Sequence, residues 1–125
     1  DVYKRQLAAI AYMAILFALS SLPDEGEASL GRRILFASPT VQNLLHVPAY
    51  AILTWLWFRA LKHRGWAAGP AVVTAAVVAV VYGGLEEIHQ YFVPGRFASI
   101  TDALLNAGGA AVVAVWVLVS EGRRQ

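Results

Sequence analysis

The sequence predicts an all-α integral membrane protein, a bundle of four transmembrane helices. Of the 125 residues, 58% are hydrophobic and only 14% are charged, and the mean hydropathy is +0.56. Soluble domains carry about a quarter of charged residues, so this composition is typical of a membrane protein. Four apolar segments also approach the ~20 residues that a helix needs to cross ~30 Å of hydrocarbon. These segments lie at 7–22, 41–61, 70–91 and 100–119.

The first segment is the shortest of the four. The residues before it, DVYKRQ, read as non-native sequence or as the edge of a fragment, so residues 1–6 are left out of the functional interpretation. Residues 7–125 are expected to form one membrane domain, because no internal repeat divides them.

The third and fourth segments are more clearly marked as membrane helices. The third contains the uncharged run AVVTAAVVAVVYGGL, where a surface helix of a soluble protein would show a polar face. Pro94 and Gly95 predict a tight turn after it, and Ser99 with Asp102 resembles a capping box that begins the fourth helix. Glycines in these segments are expected to let the helices pack closely on a neighbour; they are Gly83, Gly84, Gly108 and Gly109.

The positions of the cations predict which side of the membrane each connection faces. Cytoplasmic connections carry an excess of Lys and Arg, and the third connection holds only Arg96. Arg32 and Arg33 in the first connection share it with three acids. The second connection and the C-terminus are richer in cations, with Arg59, Lys62, Arg64, Arg123 and Arg124. The predicted orientation is therefore N-in/C-in. Aromatic residues expected at the cytoplasmic interface are Trp55, Trp57, Trp66 and Trp116.

Two classes of partner or site are disfavoured by composition. The ten Lys and Arg are scattered between apolar runs and form no basic stripe that could follow a phosphate backbone, so nucleic acid is not an expected partner. The chain has no cysteine, which excludes disulfides and thiolate metal sites.

Polar residues recur near the predicted outer ends of three helices. His46 and Tyr50, Glu86 and Gln90, and Asp102 and Asn106 are spaced i,i+4, so each pair shares one helix face. In the predicted orientation all of them lie within ~15 Å of the outer surface. Because an ionised side chain facing lipid costs at least ~2.5 kcal/mol, these faces should meet. Glu87 and Arg96 are expected to join the same cluster.

This constellation resembles the VanZ-like membrane protein family. The resemblance is carried by LLHVPAY, EEIHQYFVPGR and TDALLNAGG, and it covers about residues 41–110. It implies a small multi-pass protein of the bacterial cell envelope, placed in the inner (cytoplasmic) membrane. It also implies a link to resistance against the glycopeptide antibiotic teicoplanin. It supplies no reaction, so whether the protein is an enzyme stays open.

The candidate residues divide into two groups. Glu87, His46 and Asp102 are the candidates for acid–base catalysis or proton transfer. Ligand-binding candidates are Tyr50, Glu86, Gln90, Arg96 and Asn106. Covalent hydrolysis is disfavoured because no Ser or Cys lies in a nucleophile motif.

Some of these residues could instead have purely structural roles. Glu87 could form a buried ion pair that only orients helices, and Asp102 could serve only the cap begun by Ser99. Glu86-x-x-His89 has the spacing of a metal-binding motif, but a di-iron site needs two such motifs and the chain has one. No metal or other cofactor is therefore expected, and His89 is interpreted as a polar residue at the membrane surface.

Two classes of function remain. In the first, the outer cluster binds or acts on an amphiphile, either a membrane lipid or a lipid-linked envelope molecule. Arg96 would bind the phosphate or carboxylate of this molecule. In the second, the protein is a non-catalytic membrane module that assembles with itself or with partners, and the polar cluster is structural.

Overall fold

The computed structural model describes residues 3–21, 39–94 and 99–124, which form four α-helices. Helix α1 spans Lys4–Ser20, α2 spans Pro39–His63, α3 spans Ala68–Gln90 and α4 spans Ile100–Arg124. The described ranges contain no β-strand. The all-α prediction is confirmed.

Three of the helices are long and apolar enough to cross a membrane. These are α2 over Leu44–His63, α3 over its whole length and α4 over its whole length, among the residues that could be searched. Helix α1 has 17 residues. It is therefore ~25 Å long, less than the ~30 Å of a hydrocarbon core. The predicted set of four spans is thus supported for three helices by length and composition.

Small side chains line the surface that α3 presents to its neighbours. Lipid tails are as apolar as leucine, so helices in a membrane associate through close packing of small residues and through polar contacts. The small residues buried on α3 recur every three or four positions, and they are Ala68, Ala71, Ala75, Ala79 and Gly83.

Two of the four predicted close-packing glycines meet another helix. A Cβ at Gly109 would collide with the carbonyl oxygen of Val47 and would lie 2.9 Å from the amide nitrogen of Ala51, both on the backbone of α2. Gly83 likewise faces other side chains. By contrast, a Cβ at Gly84 or Gly108 would meet nothing within 4 Å. The close approach of α2 and α4 therefore depends on Gly109.

Hydrogen bonds attach α1 to the other helices. The Tyr12 hydroxyl donates to the carbonyl of Ala49 at 2.6 Å, and the Tyr82 hydroxyl donates to the carbonyl of Met13. Further along, Phe17 stacks on His89 with ring centroids 4.6 Å apart. Because Met13 meets Tyr82 and Phe17 meets His89, α1 runs parallel to α3.

The helix directions define two ends of the bundle. Helices α1 and α3 begin at the end where α2 and α4 finish. Every Lys and Arg in the described ranges lies toward this end, which we call the basic end: Lys4, Arg5, Arg59, Lys62, Arg64, Arg123 and Arg124. The opposite end, which we call the acidic end, holds Glu86, Glu87 and Asp102.

Candidate functional site

Three helices bring polar side chains together at the acidic end. Helix α2 contributes His46, α3 contributes Glu86 and Glu87, and α4 contributes Asp102 and Asn106. Glu86 is 5% exposed, Glu87 7% and Asn106 1%. Buried polar groups of this kind need partners, because desolvation without a hydrogen bond is costly.

His46 lies between two side chains of α4. Its Nδ1 is 2.8 Å from Asn106 Oδ1, and its Nε2 is 3.8 Å from Asp102 Oδ2. An amide oxygen only accepts hydrogen bonds, so Nδ1 carries a proton and donates it to Asn106. This fixes the tautomer of the neutral ring and leaves Nε2 turned toward Asp102. The arrangement suits proton exchange at Nε2, and it also forms an ion pair with Asp102 when the ring is charged.

Glu87 completes the cap of α4 from a different helix. Ser99 Oγ accepts the backbone N–H of Asp102 at 3.3 Å, as the first residue of a capping box does. In a capping box the third residue would return a bond to the Ser99 N–H. Here the Ser99 N–H donates to Glu87 Oε2 at 2.8 Å instead. The Asp102 carboxylate therefore faces His46 rather than the cap.

The adjacent acids Glu86 and Glu87 face different neighbours. Successive residues are rotated by about 100° around a helix, and Glu87 is directed to α4. Glu86 lies one turn from Tyr82 on the same helix, and its charge acts on Tyr82 and on Tyr50, which is 4% exposed. Glu87 thus links α3 to α4, whereas Glu86 faces the partly buried Tyr82 of its own helix and the buried Tyr50 of α2.

Gly83 makes room for the Asn106 amide. A Cβ at Gly83 would lie 2.9 Å from Asn106 Nδ2 and 3.1 Å from Tyr50 Cε1. Asn106 Nδ2 is the buried side-chain atom, among the described residues, that has no hydrogen-bond partner. The amide is therefore held by His46 at its oxygen and by packing at its nitrogen. The sequence indicated Gly83 as a packing residue but gave no sign of this role.

An apolar groove lies beside the cluster, between the C-terminal part of α3 and the start of α4. Its volume is about 450 Å³, within the range of ligand sites. The lining residues are Gly84, Glu87, Ile88, Tyr91, Phe92, Ser99, Ile100 and Ala103. Four of them are largely exposed on the outside of the bundle, namely Ile88, Tyr91, Phe92 and Ile100. No motif in the sequence signalled this groove.

The remaining candidates take separate positions. Gln90 is 8% exposed at the end of α3. His89 turns toward α1, where its Nε2 is 2.9 Å from Ser21 Oγ, so it does not converge with Glu86 on a common point. Within the described ranges no group of three or more His, Asp and Glu side chains is placed to hold a metal ion. Arg96 lies outside the described residues.

A comparison with protein families matches nearly the whole chain. The family model described as VanZ/LLP1 matches residues 4–120, which include the cluster from His46 to Asn106. The resemblance to VanZ-like proteins is thereby confirmed. Comparison with curated proteins and with solved structures gives no match.

Proposed function

Since the chain belongs to the VanZ/LLP1 family, we propose that this multi-pass membrane protein lies in the inner membrane of a bacterial cell envelope and binds an amphiphilic envelope molecule at its acidic end. One observation carries the proposal. Glu87 belongs both to the polar cluster and to the lining of the apolar groove. A polar head at the cluster and a hydrocarbon tail in the groove would therefore be adjacent, as an amphiphile requires.

The distribution of cations supports the orientation in this proposal. Every described Lys and Arg lies toward the basic end, while Glu86, Glu87 and Asp102 lie at the other. An excess of Lys and Arg marks the cytoplasmic side, so the acidic end would face outward and both termini inward. Helix α1, with 17 residues, stands at the lower limit of membrane-spanning helices and would complete four spans.

The cluster offers two kinds of role toward a bound head group. His46, Glu87 and Asp102 would exchange protons with it or accept its hydrogen bonds, since the three groups act on one another electrostatically. Tyr50, Glu86, Gln90 and Asn106 would support them from the buried side. In the proposal Arg96 contributes from the third connection.

Resistance to teicoplanin is the function that the family resemblance points to. We expect that expression in a susceptible bacterium reduces susceptibility to teicoplanin, a lipidated glycopeptide, more than to a glycopeptide without a lipid chain. Growth inhibition is measured for wild type, Glu87→Gln and Glu87→Asp at matched membrane levels. If Glu87 acts as an acid or base, Glu87→Gln abolishes the effect. If Glu87 serves only as an anion, Glu87→Asp largely retains it.

The alternative function is a non-catalytic membrane module. The observation that favours it is that the contacts of His46 with Asn106 and of Glu87 with Ser99 each join two helices, as polar contacts that stabilise membrane bundles do. A triple variant, Glu87→Gln with Arg96→Gln and Asp102→Asn, separates the two functions. Protection equal to that of wild type would establish the cluster as scaffold.

A further inference from the structure

We propose that the groove between α3 and α4 takes the hydrocarbon chain of an amphiphile whose head carries a protonated amine, and that Glu87 binds this amine. The inference rests on the proposed function and adds to it the charge and the position of the ligand.

The groove suits a hydrocarbon chain that enters from the bilayer. Its lining is mostly apolar, with Glu87 as the acidic residue in it, and Ile88 and Ile100 are 61% and 82% exposed on the outside of the bundle. In a membrane this outside surface faces lipid, so a chain reaches the groove without passing through water. Gly84 lies in the lining, and nothing lies within 4 Å of a Cβ built there. The groove is therefore open at Gly84.

The charge beside the groove favours a cationic head. Glu87 is the ionisable residue in the lining, and the charges of Asp102 and Glu86 act on it from nearby. Every described Lys and Arg lies toward the basic end. The described groups at the acidic end that can become positive are His46, which is 3.8 Å from Asp102, and His89, which turns toward α1. The described charges around Glu87 are thus mostly carboxylates, which favour an ammonium group as the part of the head that lies against Glu87, whereas Arg96 in the third connection would bind an anionic part of the same head.

The Glu87 carboxylate retains capacity for such a ligand. Its Oε2 accepts one hydrogen bond, from the Ser99 N–H. An ionised carboxylate has two oxygens and about four acceptor positions. An ammonium group supplies three donors, and hydrogen bonds between ionised partners are stronger than neutral ones. The Ser99 bond would hold the carboxylate in place at the groove while the remaining positions receive the amine.

The test uses the purified full chain in a neutral detergent and three probes of equal chain length: an alkylamine, an alkanol and an alkyl phosphate. Binding is measured at pH 7 from the dependence of the thermal unfolding midpoint on probe concentration. We expect the alkylamine to bind about ten-fold more tightly than the alkanol, and the alkyl phosphate to bind most weakly. Glu87→Gln should bring the affinities for amine and alkanol together while the alkanol still binds.

A pair of glycine variants locates the binding site. Gly84→Leu places a bulky side chain in the groove lining, whereas Gly108→Leu adds the same side chain at an open position outside it. All three probes should bind more weakly to Gly84→Leu and unchanged to Gly108→Leu. Binding that Gly84→Leu leaves intact would count against the groove and the proposed function. If binding depends on Gly84 but the alkyl phosphate binds most tightly, or all three probes bind equally, the groove is retained and the proposed preference for an amine is wrong. The preference among head groups is measured on the wild-type protein, so it does not depend on the folding of a variant.

Discussion

His46 on α2 and Asn106 on α4 are joined through their side chains, with Nδ1 and Oδ1 2.8 Å apart. Asn106 is almost wholly buried, and His46 also approaches Asp102 through Nε2 at 3.8 Å. A single contact therefore sets both the position of α2 against α4 and the direction of the imidazole. The sequence indicates both residues as candidates, and the structure shows that they bind each other.

The first prediction concerns the energy of this pair. In a double-mutant cycle, His46→Ala and Asn106→Ala should show a coupling of about 0.5–1.5 kcal/mol, because each variant removes the same hydrogen bond. The measurement is the free energy of unfolding in detergent for the wild type, both single variants and the double variant.

Thr101→Ala provides the control for that cycle, since Thr101 is exposed on α4, the helix that also carries Asn106. Combined with His46→Ala, its effect should be additive. Additive behaviour of His46→Ala and Asn106→Ala as well would mean that the hydrogen bond contributes nothing measurable to stability.

The second prediction compares neighbouring glycines of α3. Gly83→Ala should destabilise the protein by about 1–3 kcal/mol, because the new methyl group would press on Asn106 Nδ2 and Tyr50 Cε1. Gly84→Ala should be neutral or stabilise by up to about 1 kcal/mol, since alanine favours the helix and meets no neighbour. Thermal unfolding of the two variants is compared. Equal midpoints would contradict the close contact at Gly83.

The third prediction applies the same comparison to α4. At Gly109 the added methyl group would meet the backbone of α2, which cannot rotate away as a side chain can. Gly109→Ala should therefore cost about 3 kcal/mol or more, at the upper end of overpacking effects. Gly108→Ala, with open space around it, should unfold at the wild-type temperature or above. A milder effect at Gly109 than at Gly83 would show that α2 and α4 can separate at little cost.

The fourth prediction concerns orientation. The chain has no cysteine, so single-cysteine variants can be labelled without background. Pro94 and Ala67 are exposed at opposite ends of the bundle. A thiol reagent that does not cross membranes should label Pro94→Cys from outside intact cells and spare Ala67→Cys. Both variants should react once the membrane is opened. Labelling of Ala67→Cys alone in intact cells would reverse the orientation and place the cluster on the cytoplasmic side.

The sequence by itself determined where the helices lie and which end of them is polar. The third segment, predicted at 70–91, is observed as Ala68–Gln90, and the fourth, predicted at 100–119, begins at Ile100. In a bilayer the backbone must satisfy its own hydrogen bonds, so a long apolar run has almost no alternative to a helix. The i,i+4 spacing placed Asp102 and Asn106 on one face of α4. Counting the constant rise per residue from the predicted helix ends placed them near the depth of His46 on α2.

The tertiary structure alone decided how these helices are rotated and how closely they approach. Helix α3 is apolar all round over most of its length, so only its C-terminal residues from Glu86 to Gln90 indicate in the sequence which side faces protein. Lipid and protein are similarly apolar neighbours, and the rotation depends on small residues and a few polar contacts that involve distant parts of the chain. Four features follow from that rotation: Glu86 and Glu87 face different neighbours, the Ser99 N–H donates to Glu87, His89 turns toward α1, and the groove lies beside Gly84.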